Sequence, residues 1–285
     1  MTRFPLSTEF ISQAFVTACL DELTALKPGN VHIHAAGHDM DVAHFERAAR
    51  AAAPLVAQPS LSVGHNIRRA VEASMAAAGC NTNLGIILLC APLALAAGES
   101  GRGSTLPQRL SGVLGGLDKF DAEDVFAAIA HANPGGLGEV GSGDVRAPPA
   151  MRLCDAMRLA SQRDRIALAY VTGYADILEF ALPLLKQARE IAKTRELAVT
   201  TLHMNLLARF PDTHVARKFG MATAEAVRDD ARRRLPLCQP VATDEALGAL
   251  QEFDAELKAR GLNPGTTADF VVATLFTESI SLQVA

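Results

Sequence analysis

The sequence has no tryptophan, and aromatic residues make up only 5% of its 285 positions. Alanine and leucine dominate instead, and 49% of the chain is hydrophobic, so a substantial core is available from residues that favour helices. Strand-like alternation of apolar and polar residues is absent; apolar residues recur at helical spacing almost throughout. No basic surplus exists either. A formal net charge of −4 argues against the basic surface that holds nucleic acid, although local clusters can still hold a small phosphorylated ligand. The five cysteines (Cys19, Cys80, Cys90, Cys154, Cys238) show no CxxC spacing, which leaves no legible zinc site and fits reduced thiols in the cytoplasm. The longest apolar run, IILLCAPLALAA at 86–97, has twelve residues and contains Pro92. A membrane span needs about 20. The opening MTRFPLSTEF lacks the apolar core of a signal peptide. These absences lead to the expectation of a cytoplasmic protein with neither a membrane nor a nucleic-acid partner; a homo-oligomer is compatible with the sequence.

Helical patterning predicts a first helix capped by Ser7 or Thr8 and reaching about Leu26, where KPGN stops it. A second is expected from Asp41 to Gln58, a third from Val63 to Ala78 and a fourth over 84–97. Others fall near 105–114, 121–132, 150–160, 163–192, 195–209, 213–235, 243–260 and 267–282. The segment NPGGLGEVGSGDVRAPP, 133–149, is the one long irregular stretch. Patterning is alike on both sides of it and no internal repeat is visible. The expectation is an all-α, single-domain bundle over 1–285, of roughly ten to twelve helices.

Four polar islands interrupt this apolar background. In LKPGNVHIHAAGHDMD, Asp39 and Asp41 are spaced to point oxygens at one hard cation, the way Mg²⁺ is held by one or two carboxylates plus substrate phosphates. The same residues also suit helix caps, with His32, His34 and His38 as solvated loop residues. In GCNTNLGIILL, Asn81, Thr82 and Asn83 precede an apolar helix whose free N–H groups form an anion site; ordinary capping is the alternative. In RFPDTHVARKFG, Asp212 or Thr213 starts a helix carrying Arg217 and Lys218, cations suited to phosphate oxygens or simply to a solvated surface. In NPGTTADFVVATLF, Thr266 and Asp269 resemble a capping box, which is sufficient structural reason for Asp269. Each island is a polar loop feeding an apolar helix. Gathered at one end of a bundle, such loops would form a polar pocket at the helix N-termini.

The islands also carry a resemblance. KPGNVHIHAAGHDMD followed by AHFERAA is similar to the KPG…D and HKDMD…F…SA segments of the triphosphoribosyl-dephospho-CoA synthase family. CNTNLGIILL stands at the position of its NTHKGAIF segment, PDTHVARKFG resembles its DTN…R-G segment, and NPGTTADFVVATLF its SPGGSADLLA-T-F segment. Order and approximate spacing are kept from about Thr8 to Glu278.

The resemblance implies an all-helical transferase that joins ATP to 3′-dephospho-CoA through a ribosyl bond and expels adenine. ATP would be a substrate, with Mg²⁺ on its triphosphate and a CoA-like second substrate. It implies catalytic roles for Asp39, Asp41 and Asp269: metal and triphosphate binding for Asp39 and Asp41, and an electrostatic or basic role for Asp269 or else for Asp39. Lys27, Arg217 and Lys218 would neutralise phosphate, while Asn30, His38, Asn81, Thr82, Asn83, Asp212 and Thr266 would line the substrate pocket. Two family lysines are missing: Asn83 and Leu84 stand where His-Lys is usual, and GHDMD replaces HKDMD. This departure keeps open a related nucleotide-dependent enzyme of another cofactor pathway, such as one-carbon carrier biosynthesis. It also keeps open a helical nucleotide-binding protein with altered chemistry.

Overall fold

A computed structural model of the chain describes residues 5–33, 35, 41–99, 104–135, 149–238 and 244–284. The fold is all-α, with fourteen α-helices among the described residues. The first eight are α1 (Thr8–Thr24), α2 (Val42–Val56), α3 (Val63–Ala78), α4 (Leu84–Gly98), α5 (Leu106–Gly116), α6 (Lys119–Ala132), α7 (Leu153–Ala160) and α8 (Arg165–Thr172). A π-helical turn, Asp176–Ala181, leads into α9 (Leu182–Ile191), followed by α10 (Arg195–Arg209), α11 (Thr213–Phe219) and α12 (Met221–Arg234). After a short 3₁₀ turn at Leu235–Leu237 come α13 (Asp244–Ala259) and α14 (Gly265–Val284). Among the described residues no single helix is long and apolar enough to cross a membrane.

Local chemistry explains most boundaries. Ser62 caps α3 by accepting from the His65 N–H, and Gly79 ends it in the left-handed conformation. Thr105 with Gln108, and Asp118 with Asp121, form capping boxes that start α5 and α6. Two expected helices are broken. The run 163–192 is interrupted where Gly173 and Tyr174 both take φ of 65°, and the run 213–235 where Gly220 takes φ of 88°. Apolar periodicity continues through both points, so it hid backbone conformations that end a helix.

The chain forms two compact units. Unit one comprises Met1–Ala18, His44–Ala175 and Phe276–Ala285; unit two comprises Cys19–Ala43 and Asp176–Leu275. Unit one is built on α4, apolar on every side and buried from Ile86 to Ala97 except at Leu95. The Tyr170 hydroxyl of α8 donates to the Leu88 carbonyl of α4 at 2.6 Å. Helices α3 and α6 meet closely, because a Cβ on Gly64 would lie 2.5 Å from the Asp121 Cα. The core of unit two gathers Met204 and Leu207 of α10, Val215 of α11, Val227 of α12, and Phe253 and Leu257 of α13. That core carries the polar cluster described next.

Candidate functional site

After α1 ends at Thr24, the chain makes a tight turn through Lys27, Pro28, Gly29 and Asn30, closed by the Asn30 N–H donating to the Lys27 carbonyl at 2.9 Å. Lys27 points inward and is fully buried. Its ammonium lies 2.6 Å from Glu22 Oε1, and donates to the Val31 carbonyl at 2.5 Å and to Asn30 Oδ1 at 3.4 Å. Burial pushes the Glu22 pKa up and the Lys27 pKa down, and the contact between them opposes both shifts. Gly29, at φ of 81°, fits under Pro264: a Cβ there would lie 2.7 Å from the proline Cδ. Asn30 reaches the same segment, donating from Nδ2 to Asn263 Oδ1 at 2.8 Å.

The outer side of this turn meets α13. Asp254 accepts from the Gly29 N–H at 2.9 Å and lies 3.2 Å from His32 Nε2 and 2.9 Å from the Lys258 ammonium. Lys258 also donates to the Ala35 carbonyl at 3.2 Å. Burial works against the Asp254 charge, but hydrogen bonds from His32, Lys258 and Gly29 outweigh it and hold the carboxyl below its usual range. Burial lowers the His32 pKa, and the hydrogen bond with Asp254 opposes that shift. His203 of α10 is fully buried nearby, its pKa pushed down to about 3 by burial and by the Lys27 ammonium.

A second cluster joins α11 to α14 through Asp212. One carboxylate oxygen accepts from the N–H groups of His214 (2.9 Å) and Val215 (3.0 Å). The other accepts from the Thr267 N–H (2.7 Å) and hydroxyl (2.8 Å). One buried carboxylate therefore caps two helix starts, the position an external anion would otherwise take. Burial raises its pKa and these four hydrogen bonds pull it back. Thr266 Oγ1 accepts from the His214 N–H and the Thr213 hydroxyl, both at 3.1 Å. Asp269 is half-buried on the first turns of α14, close enough to Cys19 to help raise that thiol's pKa, which burial chiefly drives up. Arg217 is half-buried and Lys218 exposed on the last turn of α11.

Of the residues singled out in the sequence, unit two thus brings Lys27 together with Asn30, and Asp212 with Thr266. Segment 263–267 touches both pairs. Asn81, Thr82, Asn83 and Leu84 belong to unit one. There Asn81 Oδ1 accepts from the Leu84 N–H at 3.3 Å, Asn83 is buried, and Leu84 is half-buried at the start of α4. Asp41 is exposed just before α2, whereas His38 and Asp39 lie outside the described residues. Among the described residues no three His, Cys, Asp or Glu side chains are grouped to hold a metal. Glu22, Asp254, Lys258, Asn263 and Thr267 escaped sequence reasoning. Asp254 and Lys258 stand at the common i, i+4 spacing of a helix, and nothing local marks His32 as a partner of Asp254 from 222 residues away.

Residues 8–284 match the family described as ATP:dephospho-CoA triphosphoribosyl transferase. The 2-(5''-triphosphoribosyl)-3'-dephosphocoenzyme-A synthase of Klebsiella pneumoniae is 28% identical over 95% of this chain and 91% of its own. A probable synthase of the same name from Pectobacterium carotovorum is 30% identical over 87% of this chain and 81% of its own. The fold is also that of a crystal structure from Archaeoglobus fulgidus, assigned provisionally to triphosphoribosyl-dephospho-CoA synthase. That structure has a TM-score of 0.65 and 24% identity, covering 82% of this chain and 97% of the other. With a match running from Thr8 almost to its end, the chain belongs to the ATP:dephospho-CoA triphosphoribosyl transferase family.

Proposed function

We propose that this chain joins ATP-derived triphosphoribose to 3′-dephospho-CoA and releases adenine. The observation that carries this reading is the family match over residues 8–284, with all four polar segments in the family's order. In the reaction a hydroxyl of dephospho-CoA attacks the ribose C1 of ATP, a C–O bond forms, the C1–N9 bond breaks, and the hydroxyl proton leaves overall with adenine. Charge develops at the sugar as an oxocarbenium ion, which a nearby carboxylate stabilises as in glycosidases. Asp269 is the candidate for that role, with Asn30 and Thr266 as substrate contacts and Arg217 and Lys218 facing phosphate. We assign Asp39 and Asp41 to a Mg²⁺ ion brought in on the triphosphate, since one or two carboxylates plus substrate phosphates are enough to hold one. Such an ion would neutralise phosphate charge. The test is incubation of the purified chain with ATP, Mg²⁺ and dephospho-CoA, with mass spectrometry of all products. Free adenine plus the triphosphoribosyl adduct is expected; ATP turnover to ADP or AMP without adenine would sink the reading.

A second reading rests on Leu84, which stands where the family segment that NTNLG resembles has lysine. It makes the chain a nucleotide-dependent enzyme of another cofactor pathway, with a nucleotide that needs fewer phosphate contacts. Losing a charged hydrogen bond to phosphate costs about 1.5–3 kcal/mol, or roughly tenfold to over a hundredfold in affinity. Leu84→Lys should therefore strengthen Mg-ATP binding more than adenosine binding in calorimetric titrations. A stable variant with unchanged ATP affinity would show that position 84 does not face phosphate.

A further inference from the structure

We propose that Asp254 and Lys258, one turn apart on α13, are positioning residues for the transfer reaction, fixing the 27–32 turn that carries Asn30; this rests on the function proposed above. Three kinds of contact make the case. Asp254 holds the first half of the turn through the Gly29 N–H and the second half through His32 Nε2. Lys258 ties the same carboxylate to the Ala35 carbonyl beyond the turn. On its opposite side the turn rests on the approach to α14, through Gly29 against Pro264 and Asn30 against Asn263. The placement of Asn30 relative to Thr266 and Asp269 therefore depends on a carboxylate that belongs to neither segment.

Stability alone is a poor reason for these side chains. Positions 254 and 258 flank Leu257, a fully buried core residue, and a buried ion pair is commonly replaced by apolar residues at no loss of stability. What apolar residues would not supply is the directional hold on a backbone N–H, an imidazole and a carbonyl. A displacement of about 1 Å in a positioned group can cost on the order of a hundredfold in rate.

The test uses the full chain. Asp254→Ala, Asp254→Asn, Lys258→Met and the double variant Asp254→Asn/Lys258→Met are compared with the wild type. Melting temperature, kcat and KM by adenine release, and amide hydrogen exchange of the 27–33 peptide are measured. In Asp254→Ala, kcat should fall on the order of tenfold to a hundredfold while the protein stays folded at assay temperature. Asp254→Asn, whose amide oxygen still accepts from Gly29, should fall less, and the double variant should be little worse than the poorer single one. Exchange at 27–33 should rise ahead of the rest of unit two. Unchanged kcat in Asp254→Ala, a loss no larger than the loss of folded protein, or single effects that multiply in the double variant would each overturn the proposal. Should Asp254→Ala not fold, the same criteria apply to Asp254→Asn and Lys258→Met. If the wild type releases no adenine, the transfer reading fails by itself. The exchange arm then decides: unchanged protection at 27–33 overturns the positioning claim, and selective loss upholds it.

Discussion

Lys27 and Glu22 are buried together, with side-chain exposures of 0% and 5%, and neither has water to fall back on. Removing one partner leaves an uncompensated charge, so Lys27→Met should cost about 3–5 kcal/mol in chemical denaturation. Removing both as Glu22→Gln/Lys27→Met should restore much of that. Equal losses in the single and double variants would mean that the pair contributes through packing only. His203 has a different consequence. Its folded pKa, about 3, lies below that of an unfolded histidine, so the unfolded chain takes up the proton first as pH falls. Its contribution is complete above about pH 6.5 and is lost progressively toward the folded value. Going from pH 7 to 5 should therefore cost about 2 kcal/mol through this residue. His203→Leu should flatten that part of the pH–stability curve; an unchanged slope would show that the imidazole is not held neutral.

Elements are joined by caps that reach across the chain. Asp212 serves α11 and α14 at once, and Asp212→Ala strands the N–H groups of Val215 and Thr267 and leaves that of His214 with Thr266 alone. Loss of a cap combined with unsatisfied buried donors should lower stability by about 2–4 kcal/mol, measured by urea unfolding. A loss below about 0.5 kcal/mol would mean that water replaces the carboxylate without cost. This cap also shows where sequence reading stopped. The helix around Val63–Ala78 was legible at both ends because Ser62 and Gly79 are local signals. Thr266 followed by Asp269 looked like a local capping box, whereas the carboxylate on the Thr267 N–H comes from 55 residues upstream. The breaks at Tyr174 and Gly220 were likewise invisible, since φ is set by the surrounding fold and the apolar period runs through them. Lys27 was legible as a residue of interest, but its direction was not. A lysine after a helix normally faces water, and the buried Glu22, with the Val31 carbonyl and Asn30, makes the inward position tenable.

At the scale of the whole molecule, a chain of net charge −4 is proposed to take two polyanionic substrates. Its overall field does not steer them, and Lys27 and Lys258 are engaged within unit two by Glu22 and Asp254. In the proposed mechanism phosphate charge is met by Arg217 and Lys218 and by a divalent ion carried on the nucleotide. Mg-ATP binding should accordingly depend steeply on the metal. With Mg²⁺ and ATP at 100 times its dissociation constant, the folded state should gain about 2.7 kcal/mol, visible as a rise in melting temperature. The same ATP concentration in EDTA should give little or no rise. Adenosine, which carries no phosphate, should give a shift that is the same with and without Mg²⁺. An equal ATP shift in EDTA would remove the metal from the proposed mechanism and return the neutralising role to Arg217 and Lys218. The variants Arg217→Met and Lys218→Met would then have to abolish the shift.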